Sequence, residues 1–171
     1  MIKFSNEMIR FIRKIYNADV EIMGVFSQLG EMLGESIGGS KFCRIPVSAY
    51  NRITIHNHPV TDNQTMTFSL GDIELSLERE EHTSIVVTPE KVFVLWCGDV
   101  EPDMYRLYDL WDVAEEYADE KGYPVCNIFT QEDLCNLMNI NAEFRHIVTE
   151  RLVDLIGINY VALDTPTLIG L

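Results

Sequence analysis

Two histidines one residue apart, His56 and His58, stand in "RITIHNHP", and a polar loop then leads to Ser69 and Asp72 in "FSLGD". In an extended chain, residues two apart point to the same side, so the imidazoles converge if the stretch is a strand. Pro59 favours this by steering His58 toward extended geometry. Two imidazoles on one side make half of a zinc site. Catalytic zinc takes three protein ligands from His, Asp, Glu or Cys and leaves the fourth position to water. Asp72 supplies the third where the loop after His58 brings the first turn of a helix back to the strand end. Ser69 and Asp72 are equally the two partners of a helix capping box, and the spacing leaves both uses open.

Glu21 is the other residue out of keeping with its surroundings. It opens a run in which Ile22, Met23, Val25 and Phe26 leave no solvent face, and a carboxylate drawn into such a strand needs a partner. Glu31 and Glu35 are weaker candidates, because they share one face of the following run and are readily solvated there. His146 and Glu150 are four apart, but "HIVTE" is not HExxH. Neither His82 nor His146 is assigned to the site.

The elements that must hold these residues follow from periodicity. Met8, Ile9, Ile12 and Ile15 mark one face of a helix between Ser5 and Asn17. "VEIMGVFSQLGEMLGESIGG" splits at "QLG" into a strand hairpin, and "KFCRIPV" and "NRITIHNH" read as two further short strands. A capped helix starts at Ser69. "TSIVVTPEKVFVLWCG" is a second hairpin turning at Pro89 and Glu90. A helix begins after Pro102 with Leu107, Trp111 and Ala114 near one face and stops at Gly122. Helical composition then runs from a Thr130 and Asp133 cap to Ile156, Gly157 ends it, and "INYVAL" predicts a last strand. A mixed sheet flanked by helices is the α/β arrangement that buries these faces.

The chain has 171 residues, 47% of them hydrophobic, and a net charge of −14. That length suits one domain. The charge argues against tracking nucleic-acid phosphates, which needs clustered Lys and Arg. No apolar run approaches the roughly 18 residues of a membrane span, and the N-terminal stretch lacks a signal-peptide apolar block. Cys43, Cys97, Cys126 and Cys135 are scattered without a CxxC, as in reduced thiols. These features together predict a cytoplasmic protein.

"HNHP" followed by "FSLGD" resembles the JAMM, or JAB/MPN, metalloprotease family, whose pattern is a Glu on an early strand, then HxH, a spacer and SxxD. The Pro after the second His and the Phe before the Ser are as in small bacterial and phage JAB domains. Other HxH patterns fail: HxHxDH would need Asp where Val60 stands, a histidine triad would need His there, and the HNH nuclease motif is dispersed over a longer unit. The resemblance covers residues 19–96. It implies a JAB/MPN, cytidine-deaminase-like sandwich over residues 1–98, with 99–171 a mainly helical C-terminal region packed on the same domain. It further implies that His56, His58 and Asp72 bind Zn2+, that Ser69 donates to an oxyanion, and that Glu21 is the general base. The reaction so implied is hydrolysis of a peptide or isopeptide bond in a protein or peptide substrate, including the C-terminus of a ubiquitin-like protein. Two other readings stand beside it. One is a non-catalytic MPN-type scaffold whose C-terminal half, including Trp111, docks a partner. The other is a RadC-like protein associated with DNA, which the acidic charge disfavours.

Overall fold

The four leading amides of a helix need acceptors, and Ser5 supplies one: its Oγ accepts from the Met8 N–H at 3.1 Å and donates to the Gly30 carbonyl at 2.7 Å. The helix start is thereby tied to the turn of the first hairpin. In the computed structural model, which describes residues 2–39, 43–59, 67–97, 107–121 and 146–170, helix α1 (Asn6–Ile15) buries Met8, Phe11, Ile12 and Ile15. Strands β1 (Ile22–Phe26) and β2 (Met32–Ile37) form the predicted hairpin, and β3 (Ile53–Asn57) carries the first histidine. Helix α2 (Leu70–Glu78), the hairpin β4 (Thr83–Val87) and β5 (Lys91–Trp96), and helix α3 (Leu107–Glu120) follow. A helical stretch over 146–156, α4, ends at Gly157 with φ 74°. Strand β6 (Asn159–Asp164) and helix α5 (Thr165–Ile169) complete the described chain.

The six strands form one mixed sheet in the order β2-β1-β3-β4-β5-β6. Only β3 and β4 are parallel. Parallel neighbours need a crossover, and α2 occupies it. One sheet face, with Ile22, Ile55, Ile85 and Val94, packs on α1 and on Ile169 of α5. The other, with Val86, Phe93 and Leu95, packs on α2, α3 and α4 through Ile73, Leu77, Leu110 and Leu152. Burying each such side chain contributes about 1.5–3 kcal/mol, so both faces are covered at a large gain.

Two local outcomes differ from the sequence reading or extend it. The strand expected in "KFCRIPV" is absent over residues 43–47, which run beside β2 outside the sheet. Pro46 has no N–H to give a ladder, and its side chain instead covers Gly34, where an added Cβ would meet Pro46 Cβ at 3.2 Å. Helix α5 was not predicted, although its start carries a recognisable signal: the Asp164 carboxylate accepts from the Thr167 N–H at 2.9 Å and Pro166 sits in the first turn. Arg13 donates from Nε to the Ile169 carbonyl at 2.8 Å, so the C-terminal segment closes over α1. The proposed Thr130 and Asp133 cap, Pro102 and Gly122 lie outside the described residues.

Cys43 and Cys97 are free thiols. Among the described residues, no helix is long and apolar enough to cross a membrane.

Gly24 lies where β1 passes under α1, and a Cβ there would stand 2.8 Å from Phe11 Cζ and 2.8 Å from Phe26 Cε2. Gly24→Ala should therefore destabilise the fold by about 1–3 kcal/mol, seen as a lower urea midpoint at unchanged slope.

Candidate metal centre

Register places the histidines. Met23 of β1 pairs with His56 of β3, and His56 pairs with Val86 of β4. Val86 belongs to the face covered by α2, α3 and α4, so His56 points to that side, and alternation sends His58 the same way. The His58 N–H donates to the Val87 carbonyl at 3.4 Å, which carries the extended geometry one residue beyond β3. The rings converge, with centroids 5.2 Å apart.

Helix α2 brings the third residue. A crossover helix starts near the C-terminal end of the strand before it, and the first turn of α2 accordingly delivers Asp72 to the histidines. Asp72 Oδ1 is 3.6 Å from His56 Nε2, and Oδ2 is 3.4 Å from His58 Nε2. One candidate ligand atom from each of His56, His58 and Asp72 lies within 4.8 Å of the others, an arrangement that could hold a metal ion. The side chain of His56 is 4% exposed and that of Asp72 23%, so the imidazole is the more deeply buried of the two.

The capping box and the metal-ligand reading are compatible. Ser69 donates from its backbone N–H and from Oγ to Asp72 Oδ2, each at 2.7 Å, and the Asp72 N–H donates back to Ser69 Oγ at 3.1 Å. Those two bonds occupy Oδ2 and leave Oδ1 directed at His56. The box thus caps α2 and orients the carboxylate at once. The Ser69 hydroxyl is engaged with Asp72 in this state.

The electrostatics of the cluster are those of a buried charge pair. Burial disfavours the Asp72 carboxylate, yet the two imidazoles outweigh it and hold its pKa well below the ordinary 3.8. Burial likewise disfavours protonated His56, but Asp72 first, with Glu21 and Glu81 adding, raises its pKa above 6.5. Both ring nitrogens of His56 are buried without a hydrogen-bond partner. Of the two, Nε2 faces Asp72 and is free to take a cation.

Glu21 lies just before β1, its N–H donating to the Gly39 carbonyl at 2.9 Å and its carbonyl accepting from the Gly38 N–H at 2.8 Å. The register that sets Met23 against His56, continued two residues, sets Glu21 against His58 on the same face. Its pKa is raised by burial and by Asp72, against the lowering pull of His56 and His58, so its carboxylate belongs to the field of the cluster. Glu35 is directed away, ion-paired with Lys14 of α1, and Glu31 is exposed. His82 is exposed, its Nδ1 2.9 Å from Thr83 Oγ1. His146 Nδ1 is 2.9 Å from the Tyr160 hydroxyl, which in turn is 2.8 Å from Thr67 Oγ1. Neither histidine joins the cluster.

The sequence reading missed Glu81. Its side chain is 3% exposed, it accepts from Thr54 Oγ1 at 2.6 Å, and burial raises its pKa. In "LEREEHTS" it looks like one more solvated acid. The polar Thr54 and Ser84 at the same level of adjacent strands were the available signal.

Without metal, His56 has a folded-state pKa above its ordinary 6.5, so its contribution to stability is complete below that value and lost as pH rises through the raised one. Asp72 contributes at the other end, above 3.8 and down to its depressed value. Chelator-treated protein should therefore lose thermal stability as pH rises above about 6.5, and added metal, which binds the neutral imidazole better as pH rises, should remove that loss. Melting curves with and without metal across that range check it.

Comparisons of the chain with protein-family models, with curated proteins and with solved structures found no match. The functional reading accordingly rests on the geometry of the cluster and on its residues.

Proposed function

We propose that the chain is a zinc metallopeptidase of the JAMM, or JAB/MPN, type, hydrolysing a peptide or isopeptide bond in a protein substrate such as the C-terminal tail of a ubiquitin-like protein. One observation carries this reading: His56, His58 and Asp72 converge on one sheet face at the mouth of a βαβ crossover, and the β1–β3 register, continued two residues, sets Glu21 against His58. Two imidazoles and one carboxylate are a donor set suited to zinc. Ligand atoms about 2.0–2.1 Å from a tetrahedral zinc lie about 3.3 Å from each other, close to the 3.6 Å between Asp72 Oδ1 and His56 Nε2. The unpartnered Nε2 of His56, the nitrogen that faces Asp72, is what such an ion would satisfy.

When bound, zinc supplies Lewis acidity that brings the pKa of a coordinated water to about 7. Glu21 receives the proton of the attacking water and delivers it to the leaving amine, a task served by a carboxylate whose pKa burial has raised. Ser69 offers its hydroxyl to the tetrahedral oxyanion. Because that hydroxyl rests on Asp72 at 2.7 Å, it must rotate toward the substrate during turnover. Asp72 stays oriented meanwhile by the Ser69 N–H. The net charge of −14 favours a protein or peptide substrate over a nucleic acid.

His58→Ala should lose most of the zinc that wild type holds after purification, and with it the stabilisation that bound metal gives the folded state; elemental analysis and melting curves read both. Glu21→Gln keeps the side-chain size but cannot take the proton, so it should keep zinc and lose about 10²- to 10⁴-fold in turnover. The assay is a panel of quenched fluorescent peptides and lysine-isopeptide conjugates of ubiquitin. Undiminished turnover in Glu21→Gln would reject Glu21 as the base. A wild type that holds zinc and cleaves no member of the panel would make the chain a binding scaffold.

A further inference from the structure

Asn57, the residue between the two histidines, is fully buried and points to the opposite face of β3 from them. The β1–β3 ladder stops at the pair Met23 and His56, which would leave the inward N–H of Ile22 unpaired in a buried strand. Asn57 supplies the missing partner. Its Oδ1 accepts from the Ile22 N–H at 2.8 Å, and its Nδ2 donates to the Val20 carbonyl at 3.0 Å and reaches the Ala18 carbonyl at 3.5 Å. Both ends of the amide are therefore spent on the segment that contains Glu21. On its other side Glu21 is held through its own backbone by Gly38 and Gly39.

We propose that Asn57 is a positioning residue for Glu21: its side-chain amide replaces the ladder at the end of β1 and sets where the Glu21 carboxylate stands relative to His56 and His58. The inference rests on the hydrolytic reading above and adds a residue to it. A side chain is suited to this place because a direct ladder would hold the backbones of Ile22 and Asn57 at the usual strand spacing of about 4.8 Å, whereas the amide holds them together through its own length. A general base must sit within hydrogen-bond reach of the proton it takes, and a shift of about 1 Å in such a group costs on the order of 10²-fold in rate. Asn also has the donor and acceptor on one planar group that the two carbonyls and the N–H of this segment require.

The test uses the zinc-loaded full chain. Asn57→Ala should keep stoichiometric zinc, since it removes no ligand, while kcat falls about 10- to 100-fold with KM little changed. Amide exchange at Ile22 should quicken in the same variant, because that N–H loses its acceptor. The double variant with Glu21→Gln should be no slower than Glu21→Gln alone, since a residue acting only through Glu21 has nothing left to position. Should alanine at this buried site not fold, Asn57→Asp keeps the volume and the acceptor for Ile22 but loses the donors; it should hold zinc and turn over more slowly than wild type. Loss of zinc in Asn57→Ala, additive losses in the double variant, or unchanged exchange at Ile22 would each overturn the assignment, as would full turnover in Asn57→Asp. A wild type that binds zinc but cleaves nothing would defeat the hydrolytic reading by itself. A crystal structure of zinc-loaded Asn57→Ala then decides the positioning role, which a displaced Glu21 supports and an unmoved one refutes.

Discussion

The pairing of Met23 with His56 is the constraint from which the rest of the cluster follows. Strand alternation has a period of two, so a slip of one residue in that register would turn both histidines toward α1 and Asn57 toward the crossover helix. The hydrophobic faces forbid the slip. Ile53 and Ile55 are buried against α1, and exchanging them with Thr54 and His56 would put a hydroxyl and an imidazole into that apolar layer. The same packing that stabilises the sheet therefore selects which side the imidazoles take.

Once they face α2, the capping of that helix and the orientation of Asp72 become one interaction. Ser69 engages Oδ2 with two donors, and the remaining oxygen points at His56 across 3.6 Å. Three acidic groups, Glu21, Asp72 and Glu81, act on His56 and raise its pKa against the cost of its burial. Concentrating carboxylates around a buried imidazole costs stability unless a positive charge is present. A proton on His56 provides one; a bound cation provides it at higher pH. The local excess of negative charge is thus compatible with a cation at the His56, His58 and Asp72 cluster, and Glu21, whose pKa burial raises, feels the same groups.

The C-terminal part of the described chain adds to this sheet. Strand β6 extends it beyond β5, and the Tyr160 hydroxyl of β6 meets Thr67, two residues before Ser69. Burial pushes the Tyr160 pKa upward, so the phenol stays neutral and serves as a hydrogen-bonding group. The loop that presents Ser69 is in this way supported by residues distant from it in sequence.

Much of the local structure was legible without coordinates, because it depends on neighbours in the chain. The spacing of Met8, Ile12 and Ile15 dictates α1, the β-branched runs dictate β4 and β5 with their turn at Pro89 and Glu90, and the Ser69 to Asp72 spacing dictates a capped helix. His56 and His58 fall on one side of any extended strand. Which side, and what else arrives there, was a matter of pairing between distant segments. Only the α2 crossover brings Asp72 to the two rings, only the β1–β3 register, continued beyond Met23, sets Glu21 against His58, only strand neighbours show Glu81 to be buried, and only the end of the β1–β3 ladder reveals a task for Asn57. The strand expected in "KFCRIPV" failed for the complementary reason: local composition allowed it, but Pro46 had no donor for the sheet edge and packed over Gly34 instead. Periodicity records which faces a segment has; the partner each face meets is decided by long-range packing, where the hydrogen bonds and buried charges of distant residues must be satisfied together.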